Sequence, residues 1–138
     1  MTPEALAQTH AAAFTESRPW SASEFSSLLD STGVILRGDA RSFLLGRLIA
    51  GEAEVLTVAT APEFRRQGLA KACIAAFLDD LRAHQATLAF LEVAEDNDPA
   101  KALYLKKGFK IVASRPNYYT RPSGEKVTAC VMQYDFVS

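Results

Sequence analysis

The sequence predicts an α/β fold: a mixed, mostly antiparallel central sheet flanked by helices, with one parallel strand–helix–strand crossover. Three observations predict it. Two amphipathic helical segments open the chain. Apolar runs at 34–37, 42–49 and 53–60, separated by turn residues, then read as an antiparallel meander. After a helical stripe comes TLAFLEV at 87–93, almost wholly apolar, as a strand covered on both faces would be. A parallel neighbour reached by a helix is a crossover.

Taken in order, residues 3–16 read as the first helix, started by Thr2 and Pro3. A second helix fits 22–30, with Ser21 as N-cap and Glu24 closing a capping box, and Trp20 placed to staple its entry. Gly33 lets the chain turn. The strands VILR and SFLLGRLI meet at a Gly38-Asp39 turn, and Ala50-Gly51 makes the next hairpin before AEVLTVAT. The loop APEFRRQGLA opens a helix that runs to about Ala83, with a broad apolar stripe through Leu69, Ala72, Cys73, Ala76, Phe77 and Leu81. A short helix over 99–107 follows the buried strand, with Asp98 as N-cap, Pro99 in its first turn and Gly108 as its stop. Strands at 109–115 and 127–136 complete the sheet.

The 138 residues fit one domain over 1–138, and an apolar content of 49% fits a globular core. A net charge of −1 without a basic stripe argues against direct nucleic-acid binding. No apolar run is long enough to span a bilayer, and the N-terminus lacks a secretory pattern, so a cytoplasmic protein is expected. Cys73 and Cys130 lie in apolar surroundings and read as buried small hydrophobes. With His10 and His84 equally scattered, no metal cluster is expected, and both histidines read as helix-surface residues.

The segment with a chemical use is Arg65-Arg66-Gln67-Gly68-Leu69-Ala70, between a strand and a helix. The first N–H groups of a helix lack internal partners and carry the positive end of its dipole. A glycine lets such groups converge on one anion, and Arg65, Arg66 and Lys71 add charge. The loop is neither a Walker loop nor a dinucleotide fingerprint. An ordinary turn is the plain alternative.

This loop resembles the Q/R-x-x-G-x-G/A motif of the GNAT acetyltransferases: Gln67 and Gly68 fall within it, and Ala70 takes the final Gly/Ala place. The resemblance implies that the loop grips the pyrophosphate of acetyl-CoA, the co-substrate, without a metal. It also implies that the strand before the loop bulges and splays from its parallel neighbour. Backbone groups of Val58, Ala59 and Thr60 would then hold the pantetheine and supply the oxyanion donor.

Three further stretches resemble the RimI-type ribosomal-protein alanine acetyltransferases: HAAAFTESRPWSASEF at 10–25, LEVAEDNDPAKALYLKKGF at 91–109 and RPNYY at 115–119. By position, Glu92 takes the place of the general base, Tyr104 that of the general acid and Asn97 that of a CoA contact. Tyr118 and Tyr119 fall in the branch's peptide-binding loop. The residues themselves leave alternatives open. Glu92 ends an apolar strand, where a carboxylate is either exposed or held for function; Tyr104 fits a core tyrosine; Asn97 fits a helix cap; the tyrosines fit edge packing. The acidic cluster Glu95, Asp96 and Asp98 suits either a basic peptide or solvent.

The match departs from the family at the start, where the chain opens directly on its first helix and the family's first strand is missing. It also departs at Pro116, where the branch often has a second Arg, and in the tail TRPSGEKVTACVM, which lacks the expected acidic residues. Both later changes bear on the acceptor. The resemblance implies acetylation of a protein N-terminus, that of a ribosomal protein beginning with Ala, with a small amine or lysine acceptor, or a non-catalytic acyl-CoA-binding module, as alternatives.

Overall fold

A computed structural model describes residues 1–14 and 18–136. The elements are α1 (Pro3–Ala13), α2 (Ala22–Leu29), β1 (Val34–Asp39), β2 (Ser42–Ile49) and β3 (Glu52–Thr60). A 3-10 turn (Pro62–Phe64) leads to α3 (Leu69–Ala83), followed by β4 (Leu88–Ala94), α4 (Asp98–Lys106), β5 (Lys110–Thr120) and β6 (Lys126–Asp135). The six described strands form one sheet in the order β1-β2-β3-β4-β6-β5, antiparallel except for β3 against β4. This is the mixed sheet with one crossover that the patterning predicts.

Local chemistry sets most boundaries. The Thr2 hydroxyl accepts from the Ala5 N–H at the start of α1, and Ser21 and Glu24 form the expected reciprocal box at α2. The expected first helix ends early, at Ala13, with Phe14 as its C-cap, and positions 15–16 of that expectation lie outside the described residues. The β1–β2 turn falls at Ala40-Arg41 rather than Gly38-Asp39: Asp39 pairs with Ser42, and its carboxylate accepts from the Arg41 N–H at 2.9 Å. The next hairpin turns at Ala50 (φ 54) and Gly51 (φ 82), the left-handed pair that matches strand twist. Asn97 caps α4 by accepting from the Ala100 N–H, which makes Asp98 the first helical residue instead of the expected cap.

Alternation along the strands divides the core. Leu44, Ala53, Val55, Leu91, Val93 and Met132 pack with α3 and α4 on one face. Phe43, Leu45 and Ala59 pack with Leu6 of α1 and Phe25 of α2 on the other. Helices α1 and α2 therefore cover the β1, β2 and β3 portion of that second face. Beyond them, its β4, β6 and β5 portion carries Glu92, largely buried, and Arg115, exposed.

His10 is not on the surface as expected. It is 3% exposed, between Phe14 (ring centroids 4.4 Å apart) and Trp20 (5.0 Å), and its Nδ1 accepts from the Trp20 N–H. Burial, the largest influence, pulls its pKa down to about 4. Protonation would turn an acceptor into a donor facing another N–H. The unfolded chain takes up this proton near pH 6.5 and the folded one does not, so stability falls as pH drops between about 6.5 and 4. The loss is on the order of 2–3 kcal/mol. Glu24 and Asp39, held down to about 2 by hydrogen bonds from Arg18 and Arg41, lose their contribution only in more acid solution. The urea midpoint should therefore fall between pH 6.5 and 4.5, whereas His10→Gln, less stable at pH 7, should show no such fall.

Candidate active site

The site begins where β3 leaves β4. The two strands pair only through Glu52–Leu88, Ala53–Ala89 and Glu54–Phe90. Next to that pairing β3 is irregular: Gly46 faces Val55 while Leu45 faces Thr57, so Leu56 is an extra residue on β3. Such a bulge bends a strand and ends its pairing on one side. Thereafter β3 continues along β2 to Thr60, while β4 continues along β6 to Ala94. A wedge-shaped cleft opens between their C-terminal halves.

The phase of β3 fixes which backbone groups face this cleft. The Ala61 N–H donates to the Arg41 carbonyl at 2.9 Å. In an antiparallel ladder alternate residues bond to the same neighbour, so Ala59 also turns its backbone groups to β2. Val58 and Thr60 turn theirs into the cleft. Of the three backbone positions singled out in the sequence, Ala59 is thus out of phase.

The anion loop stands at the cleft's end. Arg66 (φ 64) and Gly68 (φ 76) are both left-handed, and Gly68 is the N-cap of the 15-residue α3. No side chain caps that helix and no acidic residue sits in its first turn. A Cβ placed on Gly68 would meet no atom within 4 Å, so the space before the helix is open. Arg66, Gln67 and Lys71 are exposed around it, Leu69 and Ala70 are half-buried, and Arg65 reaches the Ala13 carbonyl at 3.4 Å. Converging N–H groups at the positive end of a long helix suit a phosphate.

Glu92 and Tyr104 approach from opposite faces of the sheet. Leu91 and Val93 point to α3 and α4, so Glu92 between them points to the other face, with its side chain 16% exposed. Its Oε1 lies 3.6 Å from Arg115 Nη1, and its buried Oε2 has no hydrogen-bond partner among the described residues. A buried carboxylate oxygen left unpaired is costly, and Glu92 Oε2 is free to accept a proton or a hydrogen bond. Tyr104, on α4, is 8% exposed in the cluster with Leu91 and Val93 and packs edge-on against Phe109. Burial, then the nearby Tyr119, push its pKa up to about 12, so the phenol keeps its proton at neutral pH.

The strand expected at 109–115 does not stop at Arg115, and RPNYY forms the end of the longer strand. Strand β5 runs on to Thr120, with two extra residues between Arg115 and Tyr119 and Asn117 left-handed at φ 54. As the outermost strand it tolerates Pro116, which lacks a ladder N–H. Tyr118 is half exposed, with its ring 5.2 Å from that of Tyr119. Tyr119 is held near about 12 by burial first and then by Glu92, so it lies within the field of both candidate catalytic groups. Asn97 is committed through its Oδ1 to the α4 cap at 3.3 Å. The sequence gives no hint of the Arg115–Glu92 pair, because it spans β6 and joins strands distant along the chain.

A family model described as "Acetyltransferase (GNAT) family" matches residues 6–109. The [ribosomal protein bS18]-alanine N-acetyltransferase of Haemophilus ducreyi is 33% identical over 91 residues, and the match spans 66% of this chain and 63% of that protein's length. The N-alpha-acetyltransferase RimI of Mycobacterium tuberculosis is 34% identical over 127 residues, 86% of this chain and 78% of the relative. The crystal structure of the ribosomal-protein-S18-alanine N-acetyltransferase from Escherichia coli superposes with a TM-score of 0.88 at 26% identity, covering 99% of this chain and 88% of that one. The cleft, the loop and these matches agree: the chain belongs to the acetyltransferase (GNAT) family.

Proposed function

We propose that the chain transfers the acetyl group of acetyl-CoA to a protein N-terminal α-amino group, with a ribosomal protein beginning with alanine as acceptor. The observation that carries this reading is the parting of β3 from β4 beyond Phe90, with the uncapped end of α3 at its mouth. That shape fits an extended chain ending in a diphosphate. The N–H groups at Gly68, Leu69, Ala70 and Lys71 take the pyrophosphate, with Arg65, Arg66 and Gln67 around it. Val58 and Thr60 pair with the pantetheine as a further strand would. Asn97, whose Oδ1 is taken by its capping bond, keeps its amide nitrogen for a contact to CoA. Acetyl-CoA supplies the activated thioester.

The chain's own groups do the rest. An α-amino group has a pKa of about 7.7–8.0 and a lysine about 10.4, so at neutral pH roughly a tenth of the former is already neutral. A protein N-terminus is accordingly the easier nucleophile. It enters from the face that α1 and α2 leave uncovered, flanked by Tyr118 and Tyr119. Glu92 takes its proton as the N–C bond forms, a cleft-facing N–H of β3 steadies the oxyanion, and Tyr104 protonates the departing sulfur from the opposite face. Attack is direct, without a covalent enzyme intermediate. The named activities of the relatives support the acceptor class.

CoA release should be measured on mixing the protein with acetyl-CoA and a basic peptide beginning with alanine. Turnover is expected with the free N-terminus and not with the same peptide N-terminally blocked. Equal turnover with the blocked peptide would show that a side-chain amine is the acceptor.

A further inference from the structure

Arg115 lies on β5 opposite Ala129 of β6, and Glu92 on β4 lies opposite Val131 of the same strand. The two therefore share one sheet face, with β6 between them. The gap is crossed by the long Arg115 side chain, and on the intervening strand Ala129 is small and fully buried. At its far end the guanidinium meets Glu92 Oε1 at 3.6 Å. The Arg115 guanidinium also lies over the Tyr118 ring, 5.2 Å from its centroid. The two extra residues of β5 and the left-handed Asn117 fold Tyr118 back to make that contact.

We propose that Arg115 is a positioning residue for acetyl transfer: it fixes the Glu92 carboxylate from one side, through Oε1, so that Oε2 is left to accept the acceptor's proton. Tyr118 holds the guanidinium in turn. The inference rests on the reading of Glu92 as the base. Arginine suits the task because its charge is permanent and its donors are rigidly spaced. A loosened base costs rate, not affinity, since it acts as the proton moves.

Steady-state kinetics with the alanine peptide test this. Arg115→Gln should lower kcat about tenfold with the peptide KM and acetyl-CoA affinity unchanged. Arg115→Lys, which keeps charge and reach, should recover most of the rate. In a Glu92→Gln background, Arg115→Gln should cost nothing further. A raised KM with kcat intact would make Arg115 an acceptor contact and overturn the proposal. So would equal loss in the Lys and Gln variants, which marks a packing role. If Glu92→Gln retains the parental rate, the base reading fails and Arg115 falls with it. If Glu92→Gln is inactive while Arg115→Gln is unimpaired, only the positioning role fails.

Discussion

Gly68→Asp should lower affinity for acetyl-CoA by about a hundredfold or more, a loss of at least about 2.7 kcal/mol. Two effects act together. Gly68 has φ 76, and a residue with a Cβ pays about 1–2 kcal/mol to hold that left-handed conformation. The space in front of it is open for 4 Å, so an aspartate would not clash with the protein. Its carboxylate would instead stand at the end of α3, cap the free N–H groups and repel a pyrophosphate. Gly68→Ala separates the contributions, since it shares the backbone penalty and adds no charge. Titration by calorimetry should place alanine between the parent and aspartate. Aspartate binding as tightly as the parent would remove the loop from the site.

The fold was legible where local chemistry decides it. Thr2 and Pro3, Ser21 with Glu24, and Ala50-Gly51 mark ends and turns because each satisfies or frees nearby backbone groups. The strand at 87–93 was readable from its apolar run, but it is covered on one face and not on both as expected: Ala89, Leu91 and Val93 are buried, whereas Leu88, Phe90 and Glu92 are only half-buried. What was not legible depends on partners far along the chain. The Leu56 bulge sits in an uninterrupted run of strand formers and shows only in the register against Leu45 and Gly46. Pro116 reads as a strand's end, yet β5 passes through it because no further strand needs its N–H. His10 sits in an alanine-rich helix that reads as polar there; its burial follows from Trp20, brought back by the second helix. Asn97 and Asp98 are equally good caps by type, and only the hydrogen bond to Ala100 separates them.

The same limit applied to Glu92 and Tyr104. Both were singled out by their places in one stretch of sequence, and the alternation of β4 puts the first on one face of the sheet and α4 puts the second on the other. In the proposed mechanism one group takes a proton from the nucleophile while the other gives one to the leaving sulfur. Tyr104→Phe tests the second half. The substitution keeps the edge-on contact with Phe109 and the packing around Leu91 and Val93, so folding and acetyl-CoA affinity should be nearly unchanged. It removes one hydroxyl, which its raised pKa keeps protonated across the neutral range. Turnover should fall about a hundredfold, within the range for a positioned acid. The loss should shrink with an acetyl thioester whose thiol is more acidic than that of CoA, because such a sulfur leaves without help. A full parental rate would return Tyr104 to the core as packing. An unchanged loss with the better leaving group would assign its hydroxyl to holding the co-substrate rather than to proton transfer.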